Sequence, residues 1–258
     1  MRENRLKSTS QVSKIVVMKK LLNSLAGRRY ICFLDFEGTQ FSHEMIAYGA
    51  VMTTINSKGE IKTVKKPIKY YVRAKNKIGK VVEDMTGITD KILLEKGVSF
   101  SDAIRALKKY CGLHFQKTTF ITFGNHDMRI LGNTVSYNLG APTEITKVIH
   151  KNHVDLQAII SEFIKDPNNN PYSLENYLKV FSIPFEGIEH DPEWDAVNLM
   201  KLYEAFLKNK DIVLDEYLKV LTKVSHLPLP IKESIKKLAT GEDVTSQEFI
   251  ALAEEYIK

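Results

Sequence analysis

The chain has 258 residues, 43% of them hydrophobic and 26% charged, a globular composition that excludes collagen, low-complexity disorder and a disulfide scaffold. Thirty-seven basic against 31 acidic side chains leave a net charge of +6, which permits a polyanionic partner without demanding one. No apolar run approaches the roughly 20 residues that span a bilayer, so no membrane partner is expected.

Residues 1–28 are polar and basic, with Arg2, Arg5, Lys7 and Lys14, and read as an arm or a small leading helix with a short amphipathic stretch from Ile15 to Leu25. They lack the apolar core and cleavage site of a secretory signal, and a cytoplasmic location is expected. Cys32 and Cys111 lie far apart in apolar contexts, as expected of small buried hydrophobes in a reducing compartment.

From Tyr30 the pattern changes. Ile31 to Leu34 and Met45 to Met52 read as buried strands, Asn56 to Gly59 as a turn, and Ile61 to Val72 as a third strand bent at Pro67, giving a three-strand meander. Ser101 and Asp102 start a helix with Ile104 and Leu107 at helical spacing. Thr118 to Phe123 reads as a strand, Asp127 to Tyr137 and Asp155 to Ile164 as helices, and Pro167 to Pro171 as a loop. A helix starts at Ser173, and another has Asp191 as N-cap with Pro192 at its first position, running to about Asn209. Helical patterns at Ile212 to Val224, Leu229 to Leu238 and Ser246 to Ile257 complete the chain.

Chemistry concentrates in three places. In Phe33-Leu34-Asp35-Phe36-Glu37-Gly38-Thr39, residues i and i+2 of a strand share a face, so both carboxylates project together. Like charges at the end of an apolar strand raise each other's pKa unless cations neutralise them, and all-oxygen ligands suit magnesium or manganese. In Phe123-Gly124-Asn125-His126-Asp127, a strand ends and a helix begins, so Asp127 sits at the sheet edge where open α/β proteins gather their sites, or caps the helix. In His190-Asp191-Pro192-Glu193-Trp194-Asp195, Asp195 falls in the first helical turn while His190 stays on the loop. A histidine titrating near neutrality suits deprotonation of water, and converging acids suit two metal ions at a phosphodiester.

At this order and spacing the three elements resemble the DEDDh 3′-to-5′ exonucleases, the DnaQ-like superfamily that includes RNase T and oligoribonuclease. The resemblance spans about Tyr30 to Leu207. It includes Ile46-Ala47-Tyr48-Gly49-Ala50-Val51, Met85-Thr86-Gly87-Ile88-Thr89 and Ser173-Leu174-Glu175-Asn176-Tyr177-Leu178, and it looks most like the exoribonuclease branch related to RNA-interference-limiting and histone-messenger-trimming enzymes.

The resemblance implies an α/β fold, a ribonuclease H-like mixed central sheet flanked by helices, over residues 29–208, with a basic arm at 1–28 and a small helical extension at 209–258. It implies that Asp35, Glu37, Asp127 and Asp195 hold two divalent cations, magnesium or manganese, and that His190 is the general base. Gly38 and Thr39 would meet the terminal nucleotide. The implied partner is nucleic acid, RNA or single-stranded DNA 3′ ends, with release of nucleoside 5′-monophosphates. Rival readings are a DNA proofreading or repair exonuclease and a non-catalytic nucleic-acid-binding protein on the same fold.

The chain departs from the pattern at Ala47, where an acidic or amide residue is usual, and at Trp194, where many relatives are acidic. Trp194 is expected in the core rather than stacked on a base, His126 as a surface or hydrogen-bonded residue, and the lysine-rich stretch from Lys58 to Lys80, with Tyr70 and Tyr71, as either a nucleic-acid contact or a solvated face.

Overall fold

The computed structural model describes residues 19–257; the basic side chains read at positions 2–14 lie outside them. A helix over residues 19–24 (α1) precedes a six-stranded mixed sheet with the order β3-β2-β1-β5-β6. Its strands are β1 (Tyr30–Gly38), β2 (Met45–Ile55), β3 (Ile61–Val64), β4 (Ile68–Tyr71), β5 (Thr118–Thr122) and β6 (His153–Asp155). β2 runs antiparallel to β1, β3 and β4, whereas β5 and β6 are parallel to their neighbours. This is the mixed α/β sheet expected.

The alternation of β1 organises both faces. Ile31 and Phe33 point into one core with Val51, Ile121 and the apolar side of α9 (Pro192–Lys208). Cys32, Leu34 and Phe36 point into the other, with α4 (Phe100–Cys111), α5 (His126–Tyr137) and α6 (Thr143–Lys151). Both cysteines are buried there. Helices on both sides explain why β2 is apolar almost throughout, since a central strand has no wet face.

The expected third strand is two strands. β3 pairs with Thr53 to Ile55 and β4 with Ala47 to Ala50, so they lie end to end along one edge of β2. The break falls at Lys65 to Pro67, where proline has no N–H to continue the ladder. Three further helices lie in segments to which the sequence pattern assigns no element: α2 (Lys80–Thr86), α3 (Asp90–Lys96) and α6. The helix expected from Asp155 to Ile164 is only α7 (Leu156–Ile160), with Asp155 as N-cap; Phe163 and Ile164 beyond it are nevertheless buried.

α8 (Leu174–Val180) is capped by Ser173 and α9 by Asp191, as expected. α10 (Lys210–Thr222) follows and buries Val213 in the main core, then α11 (Leu229–Ala239) packs on α10 and α12 (Ser246–Ile257) on α11. The prolines at Leu227 to Pro230 start α11 rather than break a helix, because a first-turn proline loses no hydrogen bond. At the other end Leu21 and Leu25 of the leading segment are buried in the main core.

Candidate active site

The row of side chains that begins with Ile31 and Phe33 ends in Asp35 and Glu37, so the two carboxylates face α9. β5 stops short: its pairing with β1 ends at Phe33 opposite Ile121. The strand therefore overhangs, and Asp127 fills the vacated place, its Oδ1 accepting from the Phe36 amide at 2.7 Å. Asp127 is nearly buried and does not cap its helix; the N-cap is Asn125, without a side-chain bond.

The turn that delivers Asp127 is pinned by Asp155, whose Oδ1 accepts from Gly124 N at 3.1 Å and from Ala158 N at 2.9 Å. Gly124 has φ +91°, a left-handed conformation that glycine adopts without strain.

α9 reaches the sheet through Gly49, which lies opposite Asp35 on β2. A Cβ there would stand 1.8 Å from the Pro192 carbonyl oxygen, so only glycine allows the first turn of the helix to sit on the strand. That turn carries Asp195. His190 precedes it on the loop with φ +61°, an uncommon conformation for a side-chain-bearing residue. Ligand atoms of Glu37, His190 and Asp195 all lie within 4.8 Å of one another.

The crowding is expensive, and the titration of the acids records it. Burial, with Asp127, Glu37 and Asp195 close by, holds Asp35 well above the usual carboxylate range. Burial first and Asp195 second push Glu37 up to about 8. Asp127 and Asp195 rise to about 7, each chiefly through burial, the first opposed by the Phe36 amide and the second by the His190 amide. Four acids that resist ionisation together are a donor set short of positive charge.

A cleft of about 340 Å³ opens over these groups, lined by Asp35, Glu37, Gly38, Asp127, His190 and His126 among others. His126 is exposed and its ring meets His43 edge-on at 5.1 Å. Thr39 also lines the cleft, but its hydroxyl is engaged within its own turn, accepting from Glu44 N at 3.0 Å and sharing a hydrogen with Ser42. Trp194 is partly buried against the main core, as expected.

Three supporting residues escaped the sequence reading. Gly49 and Asp155 act on the site through a contact partner far away in the chain, although Asp155 also caps α7 locally. The third is Glu44, fully buried, whose Oε2 accepts from Lys75 N and from Asn76 N and Nδ2, each at 2.9 Å. It ties the turn after β1 to the segment that leads into α2.

No protein-family model matches the chain, and no curated protein matches it in sequence. Solved structures match in fold. The nuclease domain of 3′hExo, a DEDDh family member, bound to rAMP, is 21% identical with a TM-score of 0.55, the match covering 70% of this chain and 92% of that one. The chain has the fold of the DEDDh 3′-exonucleases. Cell-death related nuclease 4 (CRN-4) is 18% identical with a TM-score of 0.54, over 69% of this chain and 63% of that one. Exonuclease I of E. coli in complex with a dT13 oligonucleotide is 19% identical with a TM-score of 0.55, over 74% of this chain and 44% of that longer one.

Proposed function

We propose that the protein is a metal-dependent 3′-to-5′ exonuclease that hydrolyses phosphodiester bonds from the 3′ ends of RNA or single-stranded nucleic acid and releases nucleoside 5′-monophosphates. The observation that carries this reading is the convergence, from three separate elements, of Asp35, Glu37 and Asp127 with His190 in the lining of one cleft, and of Asp195 with Glu37 and His190. Structures of the same fold bound to rAMP and to single-stranded DNA support both sugars as candidates.

The donor set fits divalent cations. The acids are raised toward neutrality by one another, and the nearest cationic side chain acting on Glu37 is Lys69, itself paired elsewhere. Two magnesium or manganese ions, held by the four carboxylates, would supply activation of the attacking water and stabilisation of charge on the leaving oxygen. The protein's own part is positional. Asp127 is held by the Phe36 amide, so it need not reorganise to bind. His190, on the loop, accepts the proton of the attacking water at its imidazole. Gly38 and the backbone of Thr39 border the terminal nucleotide, and residues 29–208 carry the whole catalytic unit.

The test is a comparison of matched 5′-labelled single-stranded RNA and DNA oligonucleotides incubated with magnesium, manganese or EDTA. A ladder shortening from the 3′ end, absent in EDTA and with Asp35→Ala, is expected, and the two ladders rank the sugars. Mobility shift of the strand without shortening under either metal would refute the enzyme in favour of a binding protein.

A further inference from the structure

Most ion pairs among the described residues join side chains three or four apart on one helix. Lys69 and Asp191 are different: they are 122 positions apart, and Lys69 Nζ meets Asp191 Oδ2 at 2.8 Å with both side chains largely shielded, 20% and 26% exposed. Such a pair is screened less than a surface one.

Its location gives it a role. Lys69 lies on β4 in register with Gly49, which is in register with Asp35. Cross-strand neighbours share a face, so Lys69 stands in the same row as the acids, beyond the glycine on which α9 sits. Its ammonium also lies 5.0 Å from the Tyr71 ring centroid, a cation–π contact that restricts where the head can go. At the other end, Asp191 divides its carboxylate. Oδ1 accepts from Glu193 N at 3.1 Å and caps α9, while Oδ2 holds Lys69.

Asp191 directly follows His190, whose backbone is held at φ +61°. A left-handed residue with a β-carbon is strained and persists only where its surroundings enforce it. Two anchors hold it: the Asp191 N–H donates to the Ile188 carbonyl oxygen at 3.3 Å, closing the turn that contains His190, and the Asp191 carboxylate is tied to the sheet edge by Lys69. The lysine's charge also tempers the rise of Glu37, whereas its grip on Asp191 bears on His190.

We propose that Lys69 is a positioning residue for His190: by gripping the cap of α9 from β4, it fixes the left-handed turn that presents the imidazole over the acidic cluster. This rests on the exonuclease reading of the site. Lys69 touches neither water nor phosphate in this role; it acts through Asp191 on the backbone of the histidine.

The experiment compares wild type with Lys69→Met, Lys69→Arg, Asp191→Asn, His190→Ala and the double variant Lys69→Met/His190→Ala. Lys69→Met should lower kcat about tenfold, as loss of a supporting partner does, with KM and the unfolding midpoint little changed, and Lys69→Arg should restore most of it. In the His190→Ala background, Lys69→Met should have no further effect on kcat, because its target is gone. Hydrogen exchange read on peptides spanning residues 186–193 should be faster in Lys69→Met and Asp191→Asn and wild-type-like in Lys69→Arg. That readout needs no turnover. Unchanged exchange in Lys69→Met would overturn the proposal even if the protein proved inactive, and so would an equal kcat loss with and without His190. Loss of the wild-type ladder itself would count against the exonuclease reading instead.

Discussion

The Asp127 carboxylate hydrogen-bonds to the Phe36 amide across 91 positions of sequence, taking the place that β5 leaves empty beside β1. One acid thus completes the strand that carries two others, and backbone pairing fixes their spacing. Asp127→Asn keeps an oxygen that can accept from Phe36 while removing the charge. Its unfolding midpoint should stay near wild type while activity falls by more than the roughly 10–100-fold typical of a supporting partner. Turnover assays beside thermal denaturation check this; an active Asp127→Asn would remove Asp127 from the metal-binding set.

Replacing His190 by Ala should lower kcat by roughly 10²- to 10⁴-fold, the range of general base catalysis, with substrate binding preserved. Equilibrium binding of a labelled oligonucleotide separates the two effects. Collapse of binding would make His190 a structural residue instead.

Gly49→Ala places a methyl group where the Pro192 carbonyl stands. The first turn of α9 must move, with a stability loss of about 1–3 kcal/mol or more and misplacement of Asp195. Denaturant titration and turnover should both register the change. A variant with wild-type stability would show that α9 does not rest on β2 at this point.

The acids also predict how the metal-free protein responds to pH. Glu37 near 8 and Asp127 and Asp195 near 7 in the folded chain compare with about 4 in the unfolded one. The folded state binds more protons, so this contribution to stability is complete below about pH 4 and is lost as pH rises through about 8. In EDTA the unfolding midpoint should fall across that window, less so for Glu37→Gln. Magnesium or manganese should reverse the loss most strongly at the alkaline end, where protons no longer compete for the carboxylates. A midpoint in EDTA that declines equally in wild type and Glu37→Gln would remove Glu37 as a cause.

Much of this arrangement could be read from the chain. The alternation Ile31, Phe33, Asp35, Glu37 is a period-2 row, and it announces both the buried strand and the shared direction of the carboxylates. Asp191-Pro192 marks the start of α9, because a cap followed by a residue without an N–H suits few other places. The missed elements lacked such signals. α2 buries no side chain and α3 only Leu93, so neither has an apolar stripe to reveal a helix. Phe163 and Ile164 continue helical spacing past the true end of α7, since they are buried from a turn rather than a helix. Gly49, Glu44 and Asp155 matter through partners dozens of residues away or more, and local pattern carries no trace of such contacts.

Leu21 of α1 and Leu25 just after it share a single core with Ala196, Val197 and Leu199 of the helix that carries Asp195. Damage upstream of β1 therefore travels to α9 without crossing the cleft. The two segments should therefore melt together, and proteolytic clipping within residues 19–28 should track global unfolding rather than local fraying.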